Sequence, residues 1–295
     1  MYSNHCVTSL TLSRKCISTP RFAQKNSTCD SGLTPLLLAA KQGHNGMIEL
    51  LLNQHRLDVN YKETKYGRSS LSLAAEYGHE AAVKLLLARD SVDPESRDIN
   101  GRTPLAEYGH QGVVEQLLTR DEVDLNSKDI NGRTPLAWAA SHGYRVGAPD
   151  DELCGHMAVV KLLAQHDADP DFKDNSDRTP LSYAAEHGHQ EVVKLLLARG
   201  GVDVNYVDAE YGLTPLSQAA KNGHEGIIVR LLLAEDADVC VEDNSGLTAL
   251  QLASLNLHEE LAQLLIENGA STPRDFYGLQ GLFSEEVEEA GDAII

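Results

Sequence analysis

The sequence of 295 residues predicts an all-α repeat solenoid, because three features recur along it in a fixed order. A segment that reads Gly-Leu-Thr-Pro-Leu, or a close variant of it, occurs seven times. Most copies continue with Ala-Ala and then Gly-His, and an apolar run with helical spacing follows. One copy alone cannot cover such an apolar stripe, so adjacent copies must stack and bury a continuous core.

The copies are regularly spaced except at two places. The steps between the Thr or Ser residues of consecutive segments are 35, 34, 31, 45, 35 and 34 residues. These residues, which number the copies from first to seventh, are Thr34, Ser69, Thr103, Thr134, Thr179, Thr214 and Thr248. A fixed period of this size predicts one supersecondary unit per copy, and the irregular steps mark departures in the third and fourth copies.

Each copy predicts two helices, as the fifth copy illustrates. Thr179 is suited to cap a helix whose first position is the following proline, where a missing N–H has no cost. Gly188, nine residues later, suits the left-handed residue that ends a helix. The apolar residues Val193, Leu196 and Leu197 then recur at helical spacing and predict a second helix with one buried face.

The third and fourth copies depart from this pattern. In the third copy Leu105 and Ala106 run directly into Glu107, so three residues of the first helix are missing. Because 3.6 residues make one turn, we expect a shortened helix and a weak junction here. The fourth copy carries twelve extra residues, 144–155, between its two helices. We expect them to form a passive loop, with a functional loop as the alternative.

The two ends differ in composition from the copies, which occupy residues 30–271. Residues 1–29 are basic, rich in Ser and Thr, and free of Asp and Glu. This composition predicts a disordered tail, with an organelle transit peptide as the alternative. Residues 272–295 begin like an eighth copy at 275–282 and then become acidic. We interpret them as a half-repeat lid and an acidic tail, with an activation-like acidic segment as the alternative.

The charge and hydropathy patterns limit the classes of partner. Forty-four acidic against 25 basic residues give a net charge of −19, which argues against direct binding to nucleic acid. No apolar stretch approaches the roughly 18 residues of a membrane span. The five cysteines are scattered and show neither a disulfide framework nor zinc spacing, which fits a reducing compartment. We expect a monomer in the cytoplasm, with the nucleus as an open alternative.

Several histidines raise the question of a metal site. Six of them follow a glycine at the start of the second helix: His44, His79, His110, His156, His189 and His224. Packed helices lie about 8–10 Å apart, whereas zinc needs its nitrogen ligands about 2.0–2.1 Å away. We therefore expect these side chains to brace the helices by hydrogen bonds. The sequence has no phosphate loop, metalloprotease motif, nucleophile elbow or dinucleotide fingerprint, so we expect no enzyme, no cofactor and no metal.

The wording of the copies resembles the ankyrin repeat. It includes Gly-Arg-Thr-Pro-Leu at Gly101 and Gly132, the later Gly-His, and Asp-Val-Asn after the apolar run. The resemblance covers about Gly32 to Ser271 and implies stacked units, each a short β-hairpin finger followed by two antiparallel helices. It also implies a non-catalytic scaffold that binds a protein partner on its concave side. The pattern looks like fungal ankyrin arrays, which adds an alternative: a transcriptional co-regulator, for example of a secondary-metabolite gene cluster, acting through DNA-bound factors.

The resemblance also indicates which positions would bind a partner, namely the finger tips and the exposed edge of the first helix. The residues at these positions are Tyr66, Arg68, Glu76, Tyr77, Asn100, Arg102, Tyr108, Asn131, Arg133, Trp138, His142, Arg178, Tyr183, His187 and Tyr211. The set contains tyrosine and arginine, which are enriched at binding hot spots. Trp138 and Tyr183 occupy equivalent places in the fourth and fifth copies and predict either inter-repeat packing or an aromatic patch.

Overall fold

A computed structural model describes residues 32–54, 57–106, 109–142, 150–224 and 226–271, with the backbone alone for 150–155 and 226–227. Within these ranges there are thirteen helices. They are α1 Pro35–Lys41, α2 Asn45–Leu52, α3 Ser70–Glu76, α4 Glu80–Leu87, α5 Gln111–Leu117, α6 Pro135–Ser141, α7 Asp150–Gln165, α8 Pro180–His187, α9 Gln190–Ala198, α10 Pro215–Asn222, α11 Gly226–Ala234, α12 Ala249–Leu255 and α13 Glu259–Glu267. None of these helices is long and apolar enough to cross a membrane.

The chain divides into two compact units, the first ending at Ile130 and the second beginning at Asn131. This division falls between the third and fourth copies. In the first unit α1 packs on α3, and α2 packs on α4, which also contacts α5. In the second unit the first helices α6, α8, α10 and α12 form one packed row, and the second helices α7, α9, α11 and α13 form another. Each row buries the apolar stripes that the sequence predicts.

The predicted caps are confirmed. In the fifth copy the Thr179 hydroxyl accepts the backbone N–H of Ser182 at 3.2 Å, and proline follows the cap. Gly188 ends α8 with φ +77°, a left-handed conformation. In the seventh copy Thr248 and Gln251 satisfy each other's backbone N–H groups in a capping box. These local bonds fix where the first helix of each copy begins.

The fingers are tight turns rather than extended strands. In the third copy the backbone N–H of Asp98 donates to the carbonyl of Arg102 at 3.0 Å, while the Asp98 carboxylate accepts the N–H of Asn100 at 2.8 Å. One bond joins neighbouring fingers, for example Ile99 N–H to the Tyr66 carbonyl at 2.9 Å. Across the described ranges the single β-bridge is the one between Glu242 and Thr248. The expected β-hairpin fingers are therefore reduced to hydrogen-bonded turns.

The structure corrects two details of the irregular copies. In the third copy residues 104–106 form a turn, and no first helix appears in the part of this copy that the structure describes. The expectation of a shortened helix is wrong for residues 104–106, which take no helical conformation after the loss of nearly one turn of sequence. In the fourth copy α7 begins at Asp150, so residues 150–155 of the insertion are helical. The expectation of a loop there is wrong for these residues, and residues 143–149 lie outside the described ranges.

Candidate binding surface

The histidines brace one copy against the previous one. In each case the ring Nε2 lies at a backbone carbonyl near the end of the preceding copy's first helix. These bonds join His79 to Lys41 at 3.1 Å, His110 to Glu76 at 3.2 Å, His189 to Ser141 at 3.2 Å, His258 to Lys221 at 3.3 Å, and His224 to Glu186. The prediction of structural histidines is confirmed for His79, His110, His189 and His224, and His258 makes the same bond although it was not in the predicted set. Each bond satisfies a carbonyl that the helix end leaves unpaired.

In the second copy a finger arginine holds several groups of the predicted surface together. The Arg68 guanidinium contacts the carboxylates of Glu63 and Glu76 and lies 4.6 Å from the centroid of the Tyr66 ring. Burial disfavours the charge of Arg68, but the two carboxylates outweigh that effect and raise its pKa. Tyr77 is exposed and stacks at 6.3 Å on the ring of His79. The arginine is therefore an internal clamp, and the tyrosines are the accessible part.

The arginine of the third copy acts within its own finger. Arg102 donates from Nε and Nη2 to one carboxylate oxygen of Asp98, at 2.9 and 2.7 Å. The same carboxylate accepts the N–H of Asn100, a half-buried residue at the finger tip. The positive charge of Arg102 is thus already paired with Asp98 in the absence of a partner.

The fourth copy carries an aromatic stack. The Arg133 guanidinium lies 3.6 Å from the centroid of the Trp138 ring, well within cation–π range. Trp138 stacks on His142 at 5.3 Å, and His142 stacks on His156 at 5.9 Å. His142, the middle ring of this stack, is exposed, and Trp138 is half-buried.

The fifth copy repeats the arrangement with a hydrogen-bonded tyrosine. Arg178 contacts the Glu186 carboxylate and lies 4.1 Å from the centroid of the Tyr183 ring. The Tyr183 hydroxyl donates to the Asp174 carboxylate at 2.6 Å, and burial together with this bond raises the pKa of Tyr183. The His187 ring also stacks on this tyrosine, with the ring centroids 6.5 Å apart. Only 8% of Tyr183 is exposed, so it supports the surface from beneath.

The sixth copy replaces both partners of this arrangement. Leu213 stands where the fifth copy has Arg178, and Gln218 stands where it has Tyr183. A cleft of about 70 Å³ lies at this place, lined by Arg178, Glu186, Asp208, Tyr211, Leu213, Gln218, Lys221 and Asn222. Tyr211 at its rim is 54% exposed.

The predicted residues fall into three groups by exposure. Exposed members are Tyr66, Tyr77, Asn131, His142, His187 and Tyr211. Half-buried members are Arg68, Glu76, Asn100, Arg102, Arg133, Trp138 and Arg178, and the one buried member is Tyr183. Tyr108 lies outside the described residues. The sequence analysis did not identify Gln218 or Asp208 as site residues. The sixth copy does, however, have Leu and Gln where the fifth has Arg and Tyr, and this difference is visible in the sequence.

We use the name finger face for the exposed and half-buried predicted residues of the second unit. These are Asn131, Arg133, Trp138, His142, Arg178, His187 and Tyr211. Apart from Asn131, each carries a cationic group or a ring at the finger, on the first helix or at its C-cap. In the part of the chain that the structure describes, no group of three or more His, Cys, Asp or Glu side chains could hold a metal ion.

The capped helix pairs, the finger turns and the repeated histidine braces define a helical repeat protein of the solenoid class. A family model described as ankyrin repeats matches the chain in three copies, at residues 2–98, 153–208 and 200–275. The chain therefore belongs to the ankyrin repeat family. Ankyrin repeats are generally protein–protein interaction modules and are typically non-catalytic. A search of curated proteins found no match.

Proposed function

We propose that the protein is a non-catalytic scaffold that binds a protein partner through the finger face. The single observation that carries this proposal is the pair of arginine-and-ring groups at equivalent positions of the fourth and fifth copies, Arg133 with Trp138 and Arg178 with Tyr183. Tyr, Trp and Arg are the residues most enriched at binding hot spots. His142 and His187 are held by ring stacking, and Tyr211 lies beside the Lys221 ammonium, so these rings lose little rotamer freedom when a partner covers them.

The arginines contribute to this surface mainly by positioning rings. Arg178 is tied to Glu186, and its pKa is raised because that carboxylate outweighs the opposing effect of burial. A clamp of this kind presents a rigid surface with little net charge of its own. The proposal therefore places contact energy in the exposed rings of His142, His187 and Tyr211, and it gives the arginines a supporting role.

A capture experiment tests the proposal. Tagged full-length protein is used to isolate partners from the native organism, and each partner is then titrated against purified wild-type protein and two variants. His187→Ala with Tyr211→Ala removes two exposed rings, and we expect it to weaken the partner by at least tenfold. The control, Glu191→Ala with Lys194→Ala, removes an ion pair from α9 without changing the net charge, and it should leave the affinity unchanged. Equal affinities for all three proteins would refute the finger face as the binding surface.

The partner is expected to be a protein rather than DNA. A net charge of −19 repels the phosphate backbone, and electrostatic contact with phosphates dominates sequence-independent binding. A titration of labelled duplex DNA at low salt should show no submicromolar binding. Salt-sensitive binding in that range would contradict this part of the proposal. If the captured partner is itself a DNA-bound factor, the co-regulator alternative gains its first direct support.

A further inference from the structure

The cleft of the sixth copy contains two buried polar atoms that have no hydrogen-bond partner among the described residues. They are Nε of Arg178, a donor, and Oε1 of Gln218, an acceptor. Only 3% of Gln218 is exposed, and its Nε2 donates to the Asp208 carboxylate at 3.3 Å, which leaves Oε1 as the unpaired end. Burying a polar atom without a partner has a substantial free-energy cost. Both residues line the same cleft, so one occupant can relieve both costs.

The cleft exists because the sixth copy breaks the arrangement of the two copies before it. In those copies an arginine lies over an aromatic ring, at 3.6 Å for Arg133 and Trp138 and at 4.1 Å for Arg178 and Tyr183. Tyr183 also reaches the Asp174 carboxylate of its own finger. In the sixth copy Gln218 reaches Asp208 in the same way, but it has no ring to fill the space.

The charges around the cleft select a neutral occupant. Its charged lining residues are Arg178 and Lys221, which are positive, and Glu186 and Asp208, which are negative. An anion would lie against the two carboxylates and Gln218 Oε1, and a cation would lie against the two basic groups. A carboxamide has no net charge and carries both an N–H donor and a carbonyl acceptor. These are the complements of Gln218 Oε1 and Arg178 Nε.

The size of the cleft indicates a side chain rather than a main-chain segment. The cleft of about 70 Å³ admits a small planar group. A planar carboxamide head fits a space of that size, whereas an extended backbone also carries its flanking residues. Tyr211, Lys221 and Asn222 lie at the rim, and the Lys221 ammonium is 5.3 Å from the centroid of the Tyr211 ring. The rim can hold the rest of a partner residue while its head enters the cleft.

We propose that this cleft binds the side-chain carboxamide of an asparagine or glutamine from the partner protein. This proposal rests on the proposed function, because the cleft lies at the edge of the finger face. It assigns to Arg178 and Gln218 a recognition role, with Tyr211 as the ring that covers the bound side chain.

The test uses small probes that carry one functional group each. Propionamide, N-methylacetamide, propionate and propylammonium are titrated into isotope-labelled full-length protein, and the Gln218 side-chain amide and Arg178 Nε–H resonances are followed by NMR. We expect saturable shifts at both positions with propionamide, with a dissociation constant of about 1–10 mM, a range in keeping with the small size of the probe. The other three probes should bind at least about fivefold more weakly.

Each remaining outcome overturns the proposal. Tighter binding of propionate or propylammonium would identify a charged ligand, and tighter binding of N-methylacetamide would identify a main-chain amide. The absence of shifts with all four probes would mean that the cleft holds only water.

Two variants separate recognition from structure. Gln218→Met keeps the length of the side chain but removes both polar ends, and Gln218→Tyr restores the residue of the fifth copy and fills the space. Both should abolish the propionamide shifts at Arg178 while the protein remains folded by circular dichroism. Gln190→Met on α9 is the matched control and should leave the titration unchanged. Retained binding by both Gln218 variants would exclude the assigned site.

The probe titration needs no identified partner, so its failure is distinct from failure of the proposed function. Once a partner is identified, Gln218→Met should lower the affinity for that partner about tenfold. Loss of affinity in the His187 and Tyr211 double variant, without loss in Gln218→Met, would leave the finger face standing and refute the carboxamide cleft.

Discussion

Replacing Gly188 by alanine should reveal how much the histidine braces contribute to stability. Gly188 ends α8 with φ +77°, and a Cβ built there would lie 2.6 Å from Nδ1 of His224. That distance is shorter than two such atoms tolerate, so the imidazole must move. His224 then loses its hydrogen bond to the Glu186 carbonyl.

The expected magnitude has two parts. A left-handed conformation costs a residue with a Cβ about 1–2 kcal/mol relative to glycine. Loss of the bond between His224 and the carbonyl adds about 1 kcal/mol. We therefore expect Gly188→Ala to lower the free energy of unfolding by about 2–3 kcal/mol. Gly200 is the matched control, because it has φ +73° and nothing within 4 Å of its built Cβ. Gly200→Ala should show the conformational cost alone.

The assay is urea unfolding followed by tryptophan fluorescence. Trp138 is the one tryptophan of the sequence and lies in the second unit with both glycines, so its signal reports the unit that is perturbed. The difference between the two variants isolates the displaced histidine. Equal losses in Gly188→Ala and Gly200→Ala would refute the claim that the brace stabilises the stack.

Three further changes test other parts of the structure. Tyr183→Phe keeps the ring beneath Arg178 but removes the 2.6 Å bond to Asp174, and it should cost about 1–3 kcal/mol in urea unfolding; an unchanged midpoint would contradict the role of that bond. Insertion of Ser-Leu-Ala after Leu105 should restore the first helix of the third copy and raise the free energy of unfolding by about 1–3 kcal/mol. Hydrogen exchange of the wild-type protein should show weaker protection in the third copy than in the fifth and sixth. Uniform protection, together with no gain from the insertion, would argue against a weak junction. Burial lowers the pKa of His189 from 6.5 to about 4, so the unfolded chain takes up a proton at a higher pH than the folded protein does. The free energy of unfolding should therefore fall by up to about 1.4 kcal/mol per pH unit as the pH is lowered from 6.5 to 4. His189→Gln should flatten that part of the pH profile, and an unaltered slope would show that other groups control it.

The regular part of the fold was predictable because its signals are local. Thr179, the proline after it and Gly188 fix the limits of a helix through bonds within a few residues. The histidine braces were predictable in kind, since the distance between packed helices excluded a metal shared by equivalent histidines. Their acceptors required the structure, because each lies more than thirty residues away in sequence, as for His79 and Lys41.

The irregular copies were less predictable because their outcome depends on competition between alternatives. Deleting three residues can shorten a helix or abolish it, and the sequence of the third copy does not show which effect prevails. The helical start of α7 at Asp150 was missed because an insertion was assumed to be a loop, although Asp150, Asp151 and Glu152 place acidic residues where a helix N-terminus favours them.

The candidate surface was predictable by position but not by accessibility. Tyrosines predicted for the same surface have different environments, as the buried Tyr183 and the exposed Tyr211 illustrate. Side-chain pairing decides this difference, since Tyr183 finds a carboxylate in its own finger and an arginine above its ring. Such pairings depend on several side chains at once, and no single motif records them.

The sixth copy shows why departures from the pattern are informative at this surface. Gln218 and Leu213 forgo the cation–π contact that the fourth and fifth copies make, and Gln218 leaves a buried oxygen unpaired. A residue pair selected for packing alone would keep the arginine and the ring, because both are compatible with the same backbone in the preceding copy. The exchange to Leu213 and Gln218 lowers local stability and opens a cleft lined by polar groups. This combination is expected where residues are selected for binding rather than for packing. The Gln218→Tyr variant should therefore stabilise the second unit while it closes the cleft, and urea unfolding followed by Trp138 fluorescence measures that gain.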